Sequence, residues 1–134
     1  MPPVSALNCS DAAPSELLKA IAEFNRREYF QSHETLEAIW LQETGPLRSF
    51  FQAIIQLSAG LLHIERGNHT GALSLLEQGI GKLEPFPDRC LGIDTHSLRT
   101  QARRCRDSLL ALGEDSLKEF AWDAAPRIEI VSKQ

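Results

Sequence analysis

The segment His33-Glu34-Thr35-Leu36-Glu37-Ala38-Ile39-Trp40 sets a histidine and a glutamate four residues apart. On a helix that spacing puts Glu37 about 40° from His33, with Trp40 about 20° to the other side. An imidazole, a carboxylate and an indole on one face can hold a metal, move a proton or bond to a partner. Burying such groups is costly unless each is paired. A second group follows in the chain's most apolar run. Measured from Gln52, Gln56 falls at about 40°, Ala59 at about −20° and His63 at about 20°. Together the two stripes predict a polar seam of His33, Glu37, Gln52, Gln56 and His63 between two helices, with Trp40 walling one end. A closed, mutually bonded seam is favoured over one open to a ligand, because buried polar groups are normally satisfied internally.

His33-Glu34-x-x-Glu37 also invites comparison with H-E-x-x-H, in which two histidines bind zinc and the glutamate acts as base. Glu37 stands in place of the second histidine. In the metal reading, His33, Glu37 and His63 would hold a divalent ion while Glu34 activates water. Two points weigh against it. Glu34 sits about 100° from His33 on the helix, and His63 lies about 10 Å along the helix from Gln56. No metal or other cofactor is therefore expected. Arg99, Arg103 and Arg106 make a basic edge on a later helix, read as a charged, solvated face. Cys9, Cys90 and Cys105 contain no C-x-x-C pair, so neither a zinc knuckle nor a dithiol redox site is expected. Cys105 falls in an apolar helical stripe as a small core residue.

These residues need helices to place them, and the chain supplies five. Leu17, Leu18, Ile21 and Phe24 form the stripe of a first helix over residues 15–26, capped by Ser15. A second runs from about Tyr29 to Leu41 and a third from Leu47 to Arg66, with Pro46 in its first turn. Asn68 caps a fourth helix to Glu84, and Asp94 or Thr95 caps a fifth that Gly113 closes. A short helix is expected over Ser116 to Trp122, and Arg127–Val131 reads as extended with no identified partner. The expected architecture is an all-α bundle: residues 1–14 a flexible lead-in, 15–122 one helical domain, 123–134 an extended tail. The third helix should be the most buried, and the core should include Phe24, Leu36, Trp40, Phe51, Ile54, Ile55, Leu61, Leu76 and Leu109. Two helical hairpins also resemble each other at an offset of 40: Phe24 matches Ile64, Arg26 matches Arg66, and Leu36-Glu37 matches Leu76-Glu77. Degenerate tetratricopeptide-like hairpins and a plain bundle both fit that pattern.

The 134 residues, 43% hydrophobic and 24% charged, suit one soluble globular domain. A net charge of −4 argues against a general nucleic-acid binder. The run Ala53–Ile64 is too short to span a bilayer, and the leading residues lack a basic segment followed by an apolar one. The expected place is the cytoplasm, away from the membrane.

Phe24-Asn25, Tyr29-Phe30, His33-Glu34-x-Leu36-Glu37-x-x-Trp40, Phe51-Gln52-x-Ile54-Ile55-Gln56-Leu57, His63, Arg66-Gly67-Asn68 and Gly71-Ala72 together resemble the family known as domain of unknown function 309, small all-helical proteins. The resemblance covers roughly residues 17–112. It implies the helical fold and marks His33, Glu34, Glu37, Gln52 and Gln56 as motif residues, with no reaction attached. Arg27 departs from it, standing where the family often has glycine. The expected function is a small binding or scaffolding module for a protein or small-molecule partner. The alternative is a metal-dependent or small-molecule hydrolase using the same residues in a cleft.

Overall fold

Five segments with helical periodicity become five helices, α1 (Ser15–Asn25), α2 (Tyr29–Gln42), α3 (Arg48–Glu65), α4 (His69–Leu83) and α5 (Thr95–Leu112), in a computed structural model that describes residues 6–131. Residues 1–5 of the expected lead-in and 132–134 of the expected tail lie outside the described residues. The later caps form as the sequence predicts. Asn68 accepts the Gly71 N–H at 2.8 Å, Asp94 accepts the Ser97 N–H at 2.9 Å, and Gly113 closes α5 with φ of 74°. Ser15 does not cap α1. Pro14 stands at that position with no side-chain bond, and Ser15 begins the helix.

Each helix packs mainly on its neighbours in sequence, α1 on α2, α2 on α3, α3 on α4 and α4 on α5. The offset of 40 is physical. At the end of α1 the Glu28 N–H donates to the Glu23 carbonyl at 2.9 Å, and at the end of α3 the Asn68 N–H donates to the His63 carbonyl at 2.8 Å. Arg27 to Phe24 and Gly67 to Ile64 repeat in the same way, so both turns are Schellman motifs. That motif needs a left-handed residue, which is why glycine suits the position, and Arg27 takes up the same conformation in its place. It adopts φ of 65°, where its counterpart Gly67 has 77°. The Arg27 guanidinium lies over the Trp122 ring, 4.8 Å from its centroid.

The packing repeats as well. Leu17, Ala20, Ile21, Phe24 and Leu36 are buried, and so are Leu57, Gly60, Leu61, Ile64 and Leu76 forty residues on. Close approach recurs at matched positions. Ser32 Oγ donates to the Ala20 carbonyl at 2.9 Å, and a Cβ on Gly60 would lie 3.2 Å from the Ala72 carbonyl. Helix α3 buries more of its residues than any other helix. Of the expected core, Trp40 and Ile55 are only half-buried. They sit on the flanks of their stripes, next to solvent.

Between α4 and α5 the chain makes a hairpin that periodicity does not reveal, β1 (Arg89–Cys90) and β2 (Ile93–Asp94), antiparallel with Cys90 opposite Ile93. Leu91 and Gly92 turn it with φ of 52° and 74°, both positive as the tightest hairpin turn requires. The tail does find a partner here. Ile130 bridges Ile93, and the Val131 N–H donates to the Gly92 carbonyl at 2.7 Å. Further back, Asn25 acts as a surrogate strand, its side chain donating to the Ile128 carbonyl and accepting the Ile128 N–H at 2.9 and 2.8 Å. In place of the short helix expected over Ser116 to Trp122, two 3-10 turns form, Leu117–Glu119 and Trp122–Ala124. They set Trp122 in a stack on Tyr29, ring centroids 6.1 Å apart.

The front of the chain is tied down too. Cys9 and Cys90 form a disulfide, a pairing that the cysteine spacing did not suggest. The Cys9 carbonyl accepts the Leu91 N–H at 2.9 Å. Residues 6–14 therefore run over the bundle as a strap. No helix of the described residues is long and apolar enough to cross a membrane.

Candidate functional site

Helix α2 buries Tyr29, Ser32, Thr35 and Leu36, which turns His33, Glu37 and Trp40 onto one half-buried flank. Helix α3 buries the opposite arc of its circumference and leaves Gln52, Ile55, Gln56, Ala59, Leu62 and His63 half-buried. The Arg48 guanidinium lies 4.1 Å from the centroid of the Trp40 ring and joins the end of α2 to the start of α3. The two stripes thus belong to adjoining, packed helices, as the sequence implied.

They do not bond to each other. His33 Nδ1 lies 3.8 Å from the exposed Glu34 carboxylate of its own helix. Glu37 and Gln52 have no side-chain hydrogen bond or ion pair among the described residues. Gln56 turns the other way, donating to Gln78 Oε1 on α4 at 3.2 Å, and Gln78 donates to Ser74 Oγ at 3.1 Å. The Asn68 amide donates to His63 Nδ1 at 3.3 Å. The expected seam is thus not made by direct bonds, because the stripes are flanks facing outward rather than faces meeting in the interior. Two polar atoms on this surface are shielded by the protein and have no protein partner, the Trp40 indole Nε1 and the Gln56 carbonyl Oε1.

Metal binding finds no geometry here either. Among the described residues no group of three His, Cys, Asp or Glu side chains is placed to hold an ion. The Arg48 end of α3, where Trp40 sits, is about 22 Å from His63 by helical rise alone. Four hollows among the described residues are lined without any motif residue. A hollow of about 660 Å³ at the ends of α1 and α3 is walled by Arg27, Arg66, Lys118, Glu114, Asp115 and Trp122, with none of the seven candidate residues.

The structure brings forward polar residues the sequence had not singled out. Glu43 is buried at the end of α2, accepting from the N–H groups of Leu7 at 3.2 Å and Gly45 at 3.1 Å. Glu23 accepts from Thr35 Oγ1 at 2.7 Å across α1 and α2. Arg99, expected in solvent, is buried and donates to the carbonyls of Leu83 and Phe86 at 3.2 and 3.0 Å. The rest of the basic edge is exposed or half-exposed as expected, with Arg103 paired to Glu84 and Arg106 beside Asp107. Glu-x-Gly after a helix end was a legible signal for Glu43, because a carboxylate there can gather turn amides.

A first prediction follows from Glu37. A half-exposed carboxylate without a partner leaves nothing unsatisfied when removed, so Glu37→Ala should shift unfolding stability by no more than about 0.5 kcal/mol. A urea denaturation curve displaced by 1 kcal/mol or more would show that Glu37 has a structural partner after all.

The fold and site define a small helical array with a repeated hairpin and a polar flank on α2 and α3 whose two stripes do not bond to each other. Residues 17–75 match the family described as "Domain of unknown function (DUF309)", so the resemblance read from the motifs stands over that stretch. The match takes in both Schellman turns and all seven candidate residues, and leaves out Cys9, Cys90 and Arg99. Among curated proteins, the chain is similar to "Uncharacterized protein YpuF" of Bacillus subtilis (strain 168), 33% identical over 73 residues. That alignment covers 53% of this chain and 42% of the relative, so the chain spans less than half the length of the curated relative it matches.

Proposed function

We propose that the protein is a binding module that docks a partner on the shared flank of α2 and α3. The observation that carries this reading is that Glu37 and Gln52 have no side-chain partner among the described residues, beside half-buried Trp40, Ile55 and Leu62. Phe30 and Leu41, 50% and 65% exposed on the outer side of α2, extend the apolar area. The partner is a protein or a small molecule rather than nucleic acid. Between Arg27 and Arg48 the chain has four glutamates and no Lys or Arg, so this helix repels phosphate. The cytoplasm is the compartment this reading assigns.

A photo-crosslinking residue placed at Gln52 tests the proposal in cells. It should give a discrete adduct that Trp40→Ala abolishes, while the same probe at Arg104 on α5 gives none. Equal adducts from both positions, or an adduct from Gln52 that survives Trp40→Ala, would overturn it.

A further inference from the structure

The strap and its disulfide carry an inference separate from the docking flank. Residues 6–14 contain no helix or strand and are held at three points. The Leu7 N–H reaches the buried Glu43 carboxylate, the Cys9 carbonyl takes the Leu91 N–H, and the Cys9–Cys90 bond joins residues 81 apart in the chain. Leu7, Cys9 and Ala13 pack inward, whereas Ala6, Asn8, Ser10 and Ala12 face solvent. Two hollows flank the strap. One, about 360 Å³, is lined by Leu7, Pro14, Ala38 and Ile39 together with Glu16, Gln42 and Glu43; the other, about 590 Å³ and largely apolar, is lined by Cys9, Ala13, Leu18, Gly92 and Ile130 among others. Both border α1, and Leu18, 42% exposed, lines the larger.

We propose that Cys9–Cys90 is a redox latch: a dithiol reductant opens it, the strap lifts, and the apolar surface beneath Leu7, Cys9 and Ala13 is uncovered. Three observations separate a latch from a simple staple. Both cysteines lie outside residues 17–75, the stretch that matches the family. The two sulfurs are unequally placed, Cys9 half-buried and Cys90 fully buried, so an external thiolate attacks Cys9 Sγ. The third thiol does not compete. Cys105 is buried within α5 and burial pushes its thiol up to about 12, so the second reducing sulfur belongs to the reductant. The exchange balances. The thiolate forms a mixed disulfide on Cys9 while Cys90 leaves as thiolate and takes a proton. The reductant's second thiol then attacks its own mixed sulfur and frees Cys9 as a thiol. Two electrons and two protons pass to the protein, and the dithiol leaves as its disulfide. A reducing cytoplasm would hold the latch open, and oxidation would close it.

Hydrogen exchange on the full chain, oxidised and with excess dithiothreitol, tests the latch. In the reduced protein the amides of Leu7 and Leu91 should exchange at least about tenfold faster, with α3 amides unchanged, because the strap opens as a local unit. Anilinonaphthalene sulfonate should bind the reduced protein and Cys9→Ser, and leave the oxidised protein unlabelled. Acceleration of α3 in step with the strap would make the bond a staple of the whole fold and overturn the proposal. So would unchanged protection at Leu7 and Leu91 on reduction, or three titratable thiols in air-equilibrated, denatured protein.

Discussion

Arg99→Ala should destabilise the protein by about 3 kcal/mol, measured by urea denaturation. The guanidinium ends inside the fold, where Nη1 donates to the carbonyls of Leu83, the last residue of α4, and of Phe86 in the turn after it. The Leu83 carbonyl keeps the Phe86 N–H at 3.1 Å when Arg99 is removed, but it loses a charge-assisted bond, and the Phe86 carbonyl loses the one donor it has among the described residues, at about 1–3 kcal/mol each. The remaining arm contributes less. Nη2 meets Asp88 at 2.6 Å, but the Asp88 side chain is 77% exposed, and exposed pairs are worth about 0–1 kcal/mol. Asp88→Ala should therefore cost under about 1 kcal/mol. Arg99→Lys should not restore stability, because an ammonium lacks the planar fork that serves two carbonyls and a carboxylate together. Equal losses from Asp88→Ala and Arg99→Ala would assign the stability to the ion pair and contradict this account.

Two glycines of α4 should respond in opposite directions to the same change. A Cβ on Gly79 would lie 2.8 Å from Leu57 Cδ2 and 2.9 Å from the Ala53 carbonyl oxygen. The leucine can turn aside, but the carbonyl belongs to the α3 backbone and moves only if the helices part. Overpacking of this kind costs about 1–3 kcal/mol, which exceeds the gain of about 1 kcal/mol in helix propensity. Gly79→Ala should thus lower the thermal midpoint. Gly81 meets nothing within 4 Å of such a Cβ, so Gly81→Ala should raise stability by about 0.5–1 kcal/mol. Equal stabilisation by both substitutions would mean that α3 and α4 are not in close contact at Gly79.

The helices were legible because their stripes are long and their later ends are signed by Asn68, Asp94, Gly67 and Gly113. What escaped was short or distant. A hairpin of two-residue strands has no periodicity to read, and Leu91 occupies a left-handed position that sequence preference would reserve for glycine. The disulfide spans 81 residues, beyond any spacing rule. Arg99 lies on the flank of the Leu98 stripe, where a helical wheel does not say whether a long side chain turns to solvent or to the carbonyls of the previous helix. For the candidate site, angular arithmetic correctly grouped each stripe on its own helix. It did not say that both stripes sit at the rim of the α2–α3 contact. That depends on how each helix is rotated about its axis, which the buried residues of α1 and α4 decide.

A unit that repeats every 40 residues can in principle be copied again, and stacked arrays often vary in copy number for that reason. Here the last helix is not left waiting for another copy. The 3-10 turns pack on α5, Trp122 stacks back on Tyr29 at the first repeat's turn, and Asn25 holds Ile128. The chain returns to its first repeat and joins the end of the array to its beginning. A lineage carrying this closure could change the outer flanks of its helices freely, but could add a hairpin after α5 only by first giving up Trp122 and the Asn25 clamp. The number of repeats is thereby fixed by two contacts between the segment after α5 and the first repeat's turn.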